Sequence, residues 1–385
     1  MNQEKIREKF PMLKNDIIFL DSGALVQKPI QVINAINDFY TKYSISNRTS
    51  DSELGIIVGQ KIDKTRKMTA DLLECSEEEI MFNSGTTEGL NYCAQLFSQL
   101  INEDDEILIS KFNHSSNMIP WIEIAKEKKA KIIFSDDIIN DINSKTKIIA
   151  YAQKNNSFNI QINAKELFEK AKKYYAFIIN DAAQAISHEK VSAKYCDAIA
   201  FSSNKFFGPT GLGILYVSKN ILAKVSAKKY GGGAIDYINK IGNWKAKNSI
   251  VKHEPGTLNL AGIFGFYEAI IFFNSLDKKW MKEYLFDLSS YAYDKLSSLD
   301  NVKIVSCKGD SIILFEIKNS TSQDVASYLG HNNVYVRSGL FCAQYLNHII
   351  ENSLVRISLH IYNNKQDIDK LIEVLKRGGD FLDFI

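Results

Sequence analysis

The chain has 385 residues, 45% of them apolar and 24% charged, and its 47 basic and 45 acidic side chains leave a net charge of +2. That balance gives no basic footprint for nucleic acid or a membrane surface, and the longest apolar runs, such as residues 262–273, are too short and interrupted to span a bilayer. Five scattered cysteines (Cys75, Cys93, Cys196, Cys307, Cys342) without a C-x-x-C pair or histidines at ligand spacing argue against a disulfide framework or a metal site, and the polar start Met1-Asn-Gln-Glu-Lys5 argues against export, so a cytoplasmic protein is expected.

From about Ile17 to Val217 apolar strand-like runs alternate with amphipathic stretches, the β-α-β rhythm of a mostly parallel sheet covered by helices. Strands are predicted at 79–82, 106–109, 131–134, 147–152, 177–180, 198–201 and 213–217, with helices at 90–100, 118–127 and 164–174. Residues 231–248, rich in Gly and Asn, read as an excursion loop. A long helical stretch follows from 261 through 276 and on to 299. Strands at 302–306 and 312–317 and helices at 322–329 and 365–375 then suggest a smaller α+β domain. The expected division is a large α/β domain over 17–260 and a small α+β domain from 1–16 plus 261–385.

Two strand ends carry the most telling chemistry. Phe177-Ile-Ile-Asn-Asp181-Ala-Ala-Gln184 ends in an acid, and Asp197-Ala-Ile-Ala-Phe-Ser202-Ser-Asn-Lys205-Phe-Phe-Gly-Pro-Thr-Gly211 ends in a lysine. An aldehyde cofactor needs an amine to condense with, and the ring nitrogen of pyridoxal phosphate (PLP) needs an anion that keeps it protonated. Lys205 and Asp181 could supply both and Gln184 could bond the phenolate oxygen, although on its own Lys205 reads more often as a solvated lysine and Asp181-Ala-Ala-Gln184 as a strand exit with a helix cap. Asn83-Ser-Gly85-Thr86-Thr87-Glu88-Gly89, between a strand and a helix, offers backbone N–H groups and two hydroxyls to a phosphate, although alone it reads equally as a capped turn. His114, after another strand, can stack on a ring and carry protons, or simply be solvated. Cys342 lies in Val336-Arg337-Ser-Gly-Leu-Phe-Cys342, where a glycine and a guanidinium suggest an accessible thiol. Arg356, in Leu354-Val-Arg356-Ile-Ser-Leu, is one charge among apolar residues; a substrate carboxylate or an internal salt bridge would each satisfy it.

Taken in order, these motifs resemble the group II (Suf-type) cysteine desulfurases, class V members of the fold type I PLP enzymes. The likeness runs through Phe19-Leu-Asp-Ser22, Gln27-Lys-Pro29, Gly85-Thr-Thr-Glu-Gly89, Asn117-Met-Ile-Pro-Trp121 and Asp181-Ala-Ala-Gln184. It continues through Lys205-Phe-Phe-Gly-Pro-Thr-Gly211, Glu254-Pro-Gly-Thr257, Arg337-Ser-Gly-Leu-Phe-Cys-Ala343 and Arg356-Ile-Ser-Leu. The resemblance implies the PLP-dependent transferase fold type I, with Lys205 as the cofactor lysine, Asp181 at the ring nitrogen, Gln184 at the phenolate and His114 on the ring. It also implies Thr86, Thr87 and Ser202 at the phosphate, with Thr257 donated across a homodimer interface. Asn156, Arg337 and Arg356 match the substrate-positioning residues, Arg356 on the carboxylate, with Asn156 also near the cofactor. Cys342 matches the sulfur-accepting nucleophile, on a short loop held in place as in group II.

The implied reaction converts L-cysteine to L-alanine with a persulfide on Cys342, whose sulfur passes to an acceptor protein for Fe–S cluster or thio-cofactor synthesis. The chain departs from the family pattern at Asn204, Ser115, Leu340-Phe341 and Asn47, where histidines are usual, and at Gln323, where the branch with a zinc-bearing acceptor often has one. Two other readings therefore stay open: a different class V enzyme, such as a selenocysteine lyase or aminotransferase, and a weakened scaffold in sulfur transfer.

Overall fold

Seven strands form the central sheet of the computed structural model, which describes residues 1–49 and 51–378. They are β1 (Ile80–Asn83), β2 (Glu106–Ser110), β3 (Lys131–Ser135), β4 (Thr146–Ala152), β5 (Phe177–Asp181), β6 (Ala198–Ser202) and β7 (Gly213–Val217). Their order across the sheet is β1-β7-β6-β5-β4-β2-β3; only β7 runs antiparallel to its neighbours. Each of the seven strands predicted for this sheet is present to within a residue at either end, whereas the strand expected at 302–306 ends at Ile304. Strands such as Gly213-Ile-Leu-Tyr-Val217 are buried throughout because helices cover the sheet, which is why they read as continuous apolar runs. The Thr86–Phe97 helix packs on β7 and β6 through a face that includes Leu90, Cys93, Ala94 and Phe97.

The described residues fall into two compact units. The larger comprises Gln31–Lys154 and Gln161–Ile271, and the smaller the described residues of Met1–Ile30, Asn155–Ile160 and Phe272–Ile385. These bounds differ from the expected 17–260; residues 379–385 lie outside the described residues. Segment 17–30 sides with the small unit because Ile18–Phe19 pairs in parallel with Val334–Tyr335, and because the Ser22 N–H donates to Ser358 O at 3.3 Å. Residues 155–160 join it because the Asn159 amide donates to Asp310 and Phe158 packs on Ile312, Leu314, Phe341 and Leu354.

Within the small unit, a four-stranded antiparallel sheet has the order Val302–Ile304, Ile312–Ile317, Leu354–Ser358, Arg337–Gly339. Helices Lys278–Ser297, Ser322–His331 and Lys365–Arg377 accompany it, around a core that includes Leu288, Ile313, Phe315, Val355 and Leu371. Two expectations need correction. The stretch 261–299 is two helices, Leu260–Asn274 and Lys278–Ser297, because Asp277 caps the second by accepting from the N–H groups of Lys279 and Trp280. The expected loop 231–248 contains an antiparallel hairpin, Ile235–Ile238 with Trp244–Ala246, whose exposed residues lack the alternating burial that marks a strand in sequence.

Candidate active site

In the larger unit the C-terminal ends of β1 and β6 meet across the head of β7, since Asn83 and Ser202 are both direct partners of Gly213. A Cβ on Gly213 would come within 2.4 Å of both Asn83 Oδ1 and Gly85 Cα, so only glycine lets the turn after β1 close over the strand ends. The Gly85 N–H donates to Asn83 Oδ1 at 2.8 Å, and the Thr86 N–H donates to Ser202 Oγ at 2.7 Å, the same distance that separates the Thr86 and Ser202 hydroxyls. Asn83 Nδ2 is buried with no hydrogen-bond partner. A helix N-terminus, two clustered hydroxyls and an unmet amide donor suit a phosphate dianion.

Asp181 closes β5 one strand from Ser202, buried to 4% exposure, and accepts from the Ala183 N–H at 3.0 Å. Burial raises its pKa, while that N–H and the positive charge of Lys205 oppose the rise. A carboxylate held dry and under-compensated is matched to a cationic ring. Lys205 itself follows β6 on a tight turn. The Phe206 and Gly208 N–H groups donate to Ser203 O at 2.8 and 2.9 Å, and Phe207 takes a left-handed φ of 59°. Phe201, Phe206, Phe207 and Phe266 are fully buried beneath it, so the turn is anchored by aromatic packing while Lys205 remains partly exposed. Gln184 is buried in the turn after Asp181.

The His114 loop is pinned to β4: the side-chain amides of Asn113 and Asn117 donate to Ala150 O and Tyr151 O at 2.9 and 3.1 Å. His114 Nδ1 accepts from the Ser116 N–H at 3.1 Å, which leaves Nε2 to carry the proton of the neutral ring. Ser116 Oγ lies 2.8 Å from Thr87 Oγ, tying this loop to the first turn of the phosphate-suited helix. Thr257 is exposed on a turn that a buried ion pair supports. Arg66 holds Glu254 through two bonds of 2.8 and 2.7 Å, and Glu254 also accepts from the Phe82 N–H at 2.7 Å. Sequence reasoning missed Arg66 and Ser116 as supports, since their partners Glu254 and Thr87 lie far along the chain.

The other expected site residues belong to the small unit. Arg356, 1% exposed, donates from Nη1 to Asn156 O at 3.0 Å and from Nη2 to Asp21 Oδ1 at 2.6 Å; its buried Nε has no hydrogen-bond partner. The internal salt bridge foreseen as the alternative is therefore present, with one N–H still unmet. Burial lowers the Arg356 pKa and Asp21 opposes that. Asn156 Nδ2 donates to Phe341 O at 2.7 Å, bracing the residue before Cys342, while Asn156 Oδ1 has no partner. Phe341 and Cys342 both have left-handed φ values, 56° and 59°, which present the Cys342 side chain to solvent. Arg337 Nη2 lies 3.9 Å from Cys342 Sγ, the cationic neighbour expected of a reactive thiol.

The larger unit thus gathers Lys205, Asp181, Gln184, His114, Thr86, Thr87 and Ser202 on one edge of its sheet or the turns leaving it. The smaller gathers Cys342, Asn156, Arg337 and Arg356. Among the described residues no group of His, Cys, Asp and Glu could hold a metal ion, and no single helix is long and apolar enough to cross a membrane.

Comparison with known proteins follows the same lines. The profile of the family Aminotransferase class-V matches residues 18–371. A probable cysteine desulfurase of Ureaplasma parvum is 33% identical over 98% of this chain and 99% of its own. One from Borreliella burgdorferi is 34% identical over 98% and 97%. Among solved structures, the cysteine desulfurase CsdA of Escherichia coli superposes with a TM-score of 0.91 at 25% identity, covering 100% of this chain and 99% of that one.

Proposed function

The chain belongs to the class-V aminotransferase family, and on that premise we propose that it is a PLP-dependent cysteine desulfurase that converts L-cysteine to L-alanine and carries the sulfur as a persulfide on Cys342. The observation that carries this reading is the setting of Cys342: an exposed thiol beside a guanidinium, on a loop braced by Asn156, in the same unit as a buried arginine with an unmet N–H.

When bound, PLP supplies an aldehyde for the amines of Lys205 and substrate and a protonated ring that accepts the electron pair left at the substrate Cα. Thr86, Thr87 and Ser202 would hold its phosphate, and Asp181, Gln184 and His114 would serve its ring nitrogen, its phenolate oxygen and its ring. The Lys205 amine would remove the substrate Cα proton and return it. Arg356 fixes the substrate carboxylate and so sets which Cα bond is labilised. The Cys342 thiolate attacks the substrate sulfur. The new S–S bond forms as the Cβ–S bond breaks with its electron pair going to carbon, and protonation there leads to alanine. The persulfide then passes to an acceptor protein.

A homodimer completes the reading, with the exposed Thr257 turn reaching the partner's phosphate; five free cysteines suit the reducing cytoplasm. The test is an absorption spectrum of the purified protein before and after L-cysteine, with alanine and protein persulfide measured alongside. Cys342→Ser is expected to keep the cofactor spectrum and lose the persulfide. Undiminished sulfide release by that variant would sink the nucleophile assignment, and an exchanged keto acid in place of alanine would sink the reaction.

A further inference from the structure

Arg337 and Arg356 are direct partners in the antiparallel pairing of the small sheet. Opposed residues of this kind bring their Cβ atoms to about 5 Å, where like charges repel. Asp21 offsets the repulsion, its Oδ1 accepting from Arg356 Nη2 at 2.6 Å and its Oδ2 lying 3.9 Å from Arg337 Nη1. The backbone delivers it there. The Leu20 N–H donates to Tyr335 O and the Ser358 N–H to Leu20 O, so the segment carrying Asp21 is bonded to the strand that bears Arg356 and to the residue two positions before Arg337. Arg337 in turn reaches Cys342 Sγ, and Arg356 reaches the same loop through Asn156 and Phe341.

One carboxylate against two guanidiniums leaves a positive charge over. A carboxylate binds a guanidinium best through two parallel N–H groups. On the Nε/Nη2 edge of Arg356, Nε is buried and unmet while Nη2 is already given to Asp21. A substrate carboxylate arriving at that edge competes with Asp21.

We propose that Asp21 is a positioning residue that keeps the carboxylate place on Arg356 while no amino acid is bound, yields it to the substrate carboxylate, and turns onto Arg337, loosening Arg337 from Cys342. Occupancy of the carboxylate place thereby sets the freedom of the thiol. The proposal rests on the reading of Arg356 as the residue that takes the substrate carboxylate. Linkage makes the coupling reciprocal, and Asp21→Asn separates the route through Asp21 from the one through Asn156 and Phe341.

The test uses the holoenzyme and two readouts. In Asp21→Asn the competing charge is gone, so KM for L-cysteine is expected to fall by about five- to tenfold, the worth of roughly one charge-assisted contact, while KM for L-cysteine methyl ester stays put. Alkylation of Cys342 by iodoacetamide, followed on its own peptide so that exposed Cys307 does not count, is expected to slow when L-alanine is added to the parent protein, because the thiol loses its cationic neighbour, and to show no response in Asp21→Asn. An unchanged or raised KM with the alkylation response intact overturns the proposal. If Asp21→Asn does not fold, the parent protein decides: a response to L-alanine but not to L-alanine methyl ester supports the proposal, and equal responses overturn it. Arg356→Leu separates the two levels. If it leaves the preference for cysteine over its ester intact, the carboxylate reading itself is wrong; if the preference collapses while Asp21→Asn changes nothing, only the role of Asp21 is.

Discussion

Gly213→Ala probes the cradle at the head of β7. The added Cβ would stand 2.4 Å from Asn83 Oδ1 and Gly85 Cα and 2.6 Å from Gly85 N, whereas ordinary contact begins at 3.4 Å. Residue 213 cannot retreat, because it is paired to both Ser202 and Asn83. The turn must therefore move by about 1 Å, a displacement that a close-packed interior does not absorb. The bonds from the Gly85 and Thr86 N–H groups, 2.8 and 2.7 Å long, are the first to go. Donors misaimed by that much lose one or two hydrogen bonds to a phosphate, each worth about 1.5–3 kcal/mol for a charged acceptor. A loss of about 3 kcal/mol weakens PLP binding by roughly 100-fold. The assay is titration of the apoprotein with PLP followed by absorbance, with far-ultraviolet circular dichroism to confirm that the sheet persists. Gly59→Ala, whose Cβ meets nothing within 4 Å, is the control and should bind as the parent does. Gly213→Ala protein that folds and takes up PLP with the parent's affinity would refute the cradle.

Three further outcomes are expected. Burial raises the Asp181 pKa, so its contribution to apoprotein stability is present at low pH and is lost as pH rises through the raised value; a ring cation offsets that loss, and the thermal gain on adding PLP should grow as pH rises and flatten in Asp181→Asn. Burial, with Lys252 adding to it, pushes His253 down to about 4, and its Nδ1 lies 2.8 Å from the Tyr92 hydroxyl. Its neutral form favours the fold fully above the ordinary value of about 6.5, and urea midpoints should fall as pH drops from there toward 4, less steeply in His253→Gln. Glu254→Ala leaves buried Arg66 without its carboxylate, which costs about 3–5 kcal/mol; denaturant unfolding should register it, and a change under about 1 kcal/mol would argue that the pair is not a structural clasp.

The sheet was legible because its strands are buried on both faces and so appear as unbroken apolar runs, as in Ile148-Ile-Ala-Tyr-Ala152. The Glu53–Leu73 helix was not, since its buried positions include Thr65, Arg66 and Thr69, polar residues that break the apolar spacing of a buried helix face. At the site, Lys205, Asp181 and the Gly85 turn could be read locally because each sits at the end of its own strand. Asp21 was visible only as part of a motif. Its place between Arg337 and Arg356 depends on strand pairing, and no local pattern encodes that. Glu254 and Arg66 are likewise joined across 188 positions.

The interleaved make-up of the small unit governs when its chemistry can begin during translation. Ile18–Phe19 find their pairing partners only once Val334–Tyr335 have left the ribosome, an interval of roughly 15–60 s at ordinary elongation rates. Asp21 and Arg356 are 335 positions apart, so the thiol's surroundings are assembled last. A nascent or prematurely terminated chain that lacks the final strand therefore lacks Arg356 and the bonds by which it holds Asn156 and Asp21.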